Sequence, residues 1–188
     1  MNRILLGFCA LLLLSNMTGC ATTTGTTAPD KRKAILSMRD EVLTDLYKIH
    51  PQAKSEVAKA PGYAVFNNAD INIIFISFGG GHGVVTDSKA GKPVFMKMGE
   101  AGVGLGLGVK DFRAVFIFHD RATLTKFINS GWEFGGHADA AAKASDKGAA
   151  VGGEALLDGI TIYQLTQSGL ALQATVKGTK YWQDEELN

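Results

Sequence analysis

The chain is poor in the residues that usually carry chemistry. It holds only 2 cysteines, Cys9 and Cys20, and 4 histidines, His50, His82, His119 and His137. The histidines stand far apart, with no H-x-x-x-H spacing and no cysteine partner, which argues against a zinc site. There is no G-x-S-x-G segment to form a nucleophile elbow. Neither glycine run, 79–83 or 102–108, continues as G-x-x-x-x-G-K-[ST], so a phosphate-cradling loop is not indicated and the glycines read as structural. No catalytic centre and no cofactor are expected. Charge of neither sign dominates, with 19 Lys+Arg against 18 Asp+Glu. That balance offers no electrostatic case for a nucleic-acid partner. Proline is scarce, at 4 residues against 23 glycines, a mixture that suits glycine-bearing strands better than a proline-rich disordered tail.

At 188 residues the chain is the size of one ordinary domain. Its first long apolar run, Ile4 to Leu14, follows a cationic start at Arg3 and ends in the small or polar stretch Ser15 to Gly19. This is the order of a secretory signal, and its apolar core is short for a bilayer span. Met17-Thr18-Gly19-Cys20 resembles the lipobox of bacterial lipoproteins, in which diacylglyceryl is transferred to the Cys thiol and the chain is cut just before it. Met stands where Leu is more usual. The other reading is an ordinary secreted protein with an incidental Cys. Removal of residues 1–19 takes Cys9 away and leaves Cys20 a lone thiol in an oxidising compartment, which lipidation explains. Ala21 stands where Asp would signal inner-membrane retention, so the resemblance implies the periplasmic face of a Gram-negative outer membrane.

Three parts are expected: a signal peptide over 1–19, the lipidated Cys20 and a Thr-rich tether over 20–29, and a single domain over 30–188. Ile35, Met38, Val42, Leu46 and Ile49 recur at spacings of three and four, predicting an amphipathic helix with Asp30 as N-cap and Pro51 as stop. Packing on the domain's own sheet and lying on a membrane are the two uses of that stripe. A short helix over about Gln52 to Lys59 should end at Pro61-Gly62. The period then turns to strand at Tyr63 to Phe66 and Ile71 to Phe78, followed by a glycine-rich turn over Gly79 to Gly83. Gly102, Gly104, Gly106 and Gly108 alternate with apolar residues, which gives an extended chain one bare face open to a backbone, ring or acyl chain. Phe112 to Phe118 reads as a central strand, Asp120 to Ser130 as a capped helix stopped by Gly131, and Ile160 to Leu165 with Leu170 to Val176 as a hairpin. Ala138 to Gly153 yields no assignment. The sum is α+β, with a mostly antiparallel, glycine-rich sheet of barrel- or sandwich-like form, the N-terminal helix and one or two more.

The glycine stretch 79–83, the alternating strand from Gly102 leading to Asp111 and an apolar strand, Gly131-Trp132-Glu133-Phe134-Gly135-Gly136-His137-Ala138-Asp139-Ala140, and Ile162 to Leu170 followed by Val176-Lys177-Gly178 together resemble the SYLF family of lipid-binding domains. The likeness covers about two thirds of the chain, from about Ala60 onward. These domains are fused to other modules in fungi, plants and animals and stand alone in bacterial lipoproteins. The resemblance implies a lipid-binding role, with phosphoinositides as ligands in eukaryotic relatives and an actin-related role in some. A periplasmic domain meets no actin and few phosphoinositides, so contact with phospholipid is what carries over.

Lys31, Arg32 and Lys33 open the first helix just after the tether, where they would meet anionic headgroups or form a solvated helix end; cations are poorly matched to a helix N-terminus. Phe75, Phe78, Phe95, Phe112, Phe116 and Phe118 are core residues, or line an acyl pocket if the glycine face leaves room. The first expectation is a lipoprotein that binds phospholipid through Lys31, Arg32, Lys33 and the face of Gly102, Gly104, Gly106 and Gly108. The alternative is an envelope interaction module that docks another envelope protein and has no lipid affinity beyond its anchor. An enzyme acting on lipid or cell wall would need a polar cluster at a cavity mouth, and the sequence names none.

Overall fold

The computed structural model describes residues 25–134, 154–157, 159–166, 169–170 and 176–188, with the backbone alone along 70–78, 102–112, 133–134, 154–157, 166, 169–170 and 176–177. Helix α1 spans Ala28–Ile49 and α2 spans Gln52–Lys59; two long strands, β1 (Gly62–Asp87) and β2 (Val94–Phe118), come next. Helix α3 (Arg121–Ser130), β3 (Trp132–Phe134), β4 (Glu154–Leu157), β5 (Ile160–Thr166), β6 (Gly169–Leu170) and β7 (Val176–Gln183) complete the order. The fold is α+β, and all the strand pairings among the described residues are antiparallel.

Strand β2 is the spine of the sheet. Along one edge it pairs with β1 from Gly62↔Phe118 to Val85↔Val94, with a register shift between Ile74 and Ile76. Its other edge is shared: Met96 to Val103 pair with β7, and Arg113 to Phe118 pair with β5. Phe112 to Phe118 is therefore central, as its two-sided apolarity predicts. A straight strand of 26 residues would reach about 85 Å. Instead β1 doubles back, so that its second half lies against its first.

Glycine makes that return feasible. A Cβ on Gly81 would enter the carbonyl oxygen of Asn67, and one on Gly83 would enter the Phe66 ring and the Val65 carbonyl oxygen. Two positions apart on a strand, both face the same way, and only a bare Cα lets backbone lie so close. The expected turn over 79–83 is thus corrected: the segment is continuous strand, and its glycines serve a crossing rather than a reversal. Where the two ends of β1 meet, Ser88 N donates to Pro61 O at 3.0 Å. The Arg121 guanidinium binds Asp87 Oδ1 at 2.6 Å and Pro61 O at 3.2 Å.

The curl creates an inner and an outer face. Ala64, Phe66, Met96, Met98, Ala114, Phe116 and Phe118 point inward onto Leu124 and Phe127 of α3 and Tyr181 of β7. The rings pack edge-on or tilted, with Phe66–Tyr181 centroids 4.7 Å apart and Phe116–Tyr181 5.3 Å apart, as their quadrupoles favour. On the outer face Val65, Val115, Ile117, Tyr163 and Leu165 are covered by Val42, Leu43 and Leu46 of α1 and Ala53 of α2. The α1 stripe therefore packs on the domain's own sheet, apart from Ile49, which is 47% exposed. Each large side chain so buried contributes about 1.5–3 kcal/mol.

Several boundaries move. The N-cap of α1 is Thr27, not Asp30: Thr27 Oγ1 accepts from Asp30 N at 3.4 Å and donates to Asp30 Oδ2 at 2.6 Å. Pro29 is then tolerated in the first turn, where an amide N–H is not needed, so the helix takes two residues from the expected tether. Helix α3 starts and stops as expected: Asp120 Oδ1 accepts from Thr123 N at 2.7 Å, and Gly131 ends it at φ 67°. Among the described residues the hairpin expected from Ile160 to Val176 pairs Thr166↔Gly169 and Leu165↔Leu170, and the end of its second strand is corrected: Val176 opens β7 and pairs with Val103 of β2. The stretch Ala138 to Gly153 lies outside the described residues.

Two substitutions test this packing by denaturant unfolding. Leu46→Ala should lose about 2–5 kcal/mol and Ile49→Ala no more than about 0.5 kcal/mol. Gly81→Ala should cost at least about 2 kcal/mol, because the crossing backbone cannot yield to a methyl group.

Candidate functional site

The start of α1 carries the cations expected to meet headgroups. Burial of Ile35 one turn later sets the helix's rotation, and Lys31 and Arg32 come to lie over residues 184–188, which follow β7. Lys31 Nζ donates to Glu186 Oε1 at 2.7 Å, and Arg32 Nε donates to Leu187 O at 2.7 Å. Leu187 is itself core, 2% exposed, against Ile35, Val84 and Phe95. The Asn188 carboxamide pairs with Phe95 like a neighbouring strand: its Oδ1 accepts from Phe95 N at 2.9 Å and its Nδ2 donates to Phe95 O at 2.8 Å. Asp184, nearly buried, holds Lys97 of β2 at 3.1 Å.

Glu186, the last residue of the acidic run Asp184-Glu185-Glu186, is thus set against the first cation of the basic run. The hydrogen bond from Lys31, then its charge, holds the Glu186 carboxyl below the usual carboxylate range. Of the three cations singled out in the sequence, Lys31 and Arg32 are engaged by the tail and Lys33 is exposed. The tail carries the part of this site that sequence reasoning missed. Its signal was present as a short acidic run opposite in sign to residues 31–33.

A second polar group lies at the crossing of β1. Asn68 Nδ2 donates to Glu100 Oε2 at 2.9 Å, and both residues are buried beyond the aromatic cluster. On the opposite face His82 stands across from Lys97, with its Nδ1 buried and without a hydrogen-bond partner among the described residues. Burial lowers its pKa, opposed in part by Asp184, which favours the neutral ring. His82 and Glu100, on opposite faces of the sheet, are not placed to act together as a general acid–base pair. His119 Nε2 lies 2.8 Å from Thr161 Oγ1, the His50 ring packs at a tilt with its centroid 5.0 Å from that of Tyr163, and His137 lies outside the described residues. No three His, Cys, Asp or Glu side chains among the described residues converge as a metal site.

Cys20 lies outside the described residues. Gly102, Gly104, Gly106 and Gly108 fall on β2 as an alternating strand: Gly102 pairs with Ser77, Gly106 with Ile74 and Gly108 with Asn72. Gly104 sits in the register shift, where Phe75 faces two residues, so β2 carries a one-residue bulge amid its glycines. Backbone alone is described there, and Phe75, Phe78 and Phe112 share that stretch. Phe95, Phe116 and Phe118 are core. The two halves of the expected lipid site therefore lie apart: the start of α1 packs through Ile35 on Phe95 at one end of β2, and the glycines lie in that strand's middle.

The charge pair has a measurable signature. Because the folded-state pKa of Glu186 is depressed, the Lys31 contact is fully present above the unfolded carboxylate value and is lost as pH falls through the folded one. Carbon-detected titration of the Glu186 carboxyl should show this low midpoint, and Lys31→Gln should move it back up.

A protein of Aeromonas veronii named beta cell expansion factor A is 36% identical to the chain over 167 residues, which are 86% of this chain and 60% of that protein. The chain thus spans about three fifths of the length of this relative. No family model matches the chain.

Proposed function

We propose that the chain is a membrane-anchored bacterial lipoprotein whose SYLF-like domain binds phospholipid, held through Cys20 at the periplasmic face of the outer membrane. The observation that carries this reading is the placement of the basic helix start next to the lipobox. Thr27 caps α1 only seven positions past Cys20 (27 − 20), a reach of at most about 25 Å. A lipid on Cys20 therefore keeps Lys31, Arg32 and Lys33 within a short distance of headgroups. Two or three acyl chains supply stable attachment, which one chain does not. No helix among the described residues is long and apolar enough to cross a membrane, and the anchor proposed here needs none.

The buried residues of the three core clusters all lie between Ile35 and Leu187, so a protein starting at Ala21 retains the whole described core. That protein should carry phospholipid through purification, seen by native mass spectrometry, or float saturably with liposomes. A lipid-free protein that ignores liposomes would sink the reading and favour an envelope interaction module. The anchor is tested apart from this: intact mass of the membrane-extracted chain should show a diacylglyceryl adduct that Cys20→Ala abolishes.

The similarity to beta cell expansion factor A supports a second reading, action of this chain as a factor that expands beta cells. Purified Ala21 to Asn188 added to cultured beta cells should then raise their number over a heat-unfolded sample, and equal counts would overturn it.

A further inference from the structure

Lys31, the first of the cations proposed to meet headgroups, already holds an anion. Its ammonium is 2.7 Å from Glu186 Oε1, a charge-assisted contact of the kind a phosphate oxygen would make in the same place. The neighbouring carboxylate Asp184 is neutralised by Lys97, which leaves the Glu186 carboxylate as the group set against Lys31. We infer that residues 184–188 are a built-in acidic occupant of the basic helix start, and that an anionic phospholipid headgroup must displace the Glu186 carboxylate to reach Lys31. The inference rests on the phospholipid reading above and adds a gate to it.

The construction of the tail separates a fixed part from an exchangeable one. Leu187 is buried, and the Asn188 carboxamide is tied to Phe95 through both its oxygen and its nitrogen, so packing and hydrogen bonds hold this end of the chain against β2. The Glu186 side chain, by contrast, is 56% exposed, and its bond to Lys31 is a surface ion pair. Such pairs contribute little and are screened by salt. Glu186 is therefore free to swing off Lys31 without unpacking Leu187. Lys33, exposed beside them, makes the first contact with a bilayer; the high density of anionic headgroups there then competes with one carboxylate for Lys31. On a neutral bilayer nothing competes, and the pair stays closed.

The test uses Ala21 to Asn188 and co-flotation with vesicles of pure phosphatidylcholine or of phosphatidylcholine with 30% phosphatidylglycerol, about the anionic content needed for a surface potential of tens of millivolts. Glu186→Gln should raise partition onto the anionic vesicles about fivefold, the change carried by one basic side chain at such a surface, and leave the neutral vesicles unchanged. Glu185→Gln makes the same charge change one residue away without touching the Lys31 contact, and should alter partition less than twofold. Adding Lys31→Gln to Glu186→Gln should remove the gain. Equal gains from the two glutamate variants would show a general charge effect and overturn the gate while leaving lipid binding in place. Failure of every variant to float would overturn both.

Discussion

Gly81 and Gly83 let the backbone of residues 65–67 rest against the second half of β1, and from that contact the rest of the domain follows. A 26-residue strand that did not return on itself would expose both faces of a narrow ribbon. Once it returns, Phe66 and Met98, far apart along the ribbon, share one interior with Tyr181 and Phe127. The price of the arrangement is a demand for bare Cα atoms at the crossing, because hydrogen bonding continues along β1 on either side of it. The same doubling presents two separate outer regions to α1. Its middle and end seal Val65, Val115 and Ile117, and its beginning seals Val84 and Phe95. A single amphipathic helix thus bridges both halves of the returning ribbon.

Local signals were legible where local chemistry decides. Asp120 and Gly131 bracket α3 because a cap oxygen and a positive φ are properties of single residues. The α2 bounds and the central strand through Phe116 were readable for the same reason, as was the inward stripe of Ile35, Val42 and Leu46. Misreadings came where two chemistries compete for one residue. Asp30 and Thr27 are both good caps three positions apart, and Pro29 between them decides for Thr27 by suiting the first turn. Five residues rich in glycine, 79–83, satisfy turn chemistry as well as they satisfy a close backbone approach. Only the partner strand, distant in sequence, tells the two apart. Val176 looked like the continuation of a hairpin because nothing local reveals that Val103 is its partner.

The candidate site was legible in part for a related reason. Residues 31–33 are a visible basic run, but their availability depends on the run 184–186, more than 150 residues away (186 − 31 = 155). No periodicity links the two. What joins them is Leu187, an apolar residue in an acidic tail, whose burial against Ile35, Val84 and Phe95 fixes where the carboxylates fall. The buried Asn68–Glu100 pair is likewise invisible to motif reading, since Asn and Glu on separate strands carry no spacing rule.

The opposition of basic helix start and acidic tail bears on how a domain anchored as proposed would behave. In the proposed lipoprotein a lipid on Cys20 would keep α1 within a short reach of the bilayer, so residues 31–33 would meet headgroups at a high effective concentration whatever their intrinsic affinity. An unopposed cationic end in that position would hold the domain flat on any anionic surface. With Glu186 on Lys31 and Asp184 on Lys97, the local field is close to neutral at neutral pH, and attachment and surface contact become separate events. Attachment in the proposed lipoprotein would then depend on its acyl chains. Surface contact would depend on whether the local density of anionic headgroups is high enough to outcompete one carboxylate, which would make it responsive to lipid composition and to ionic strength.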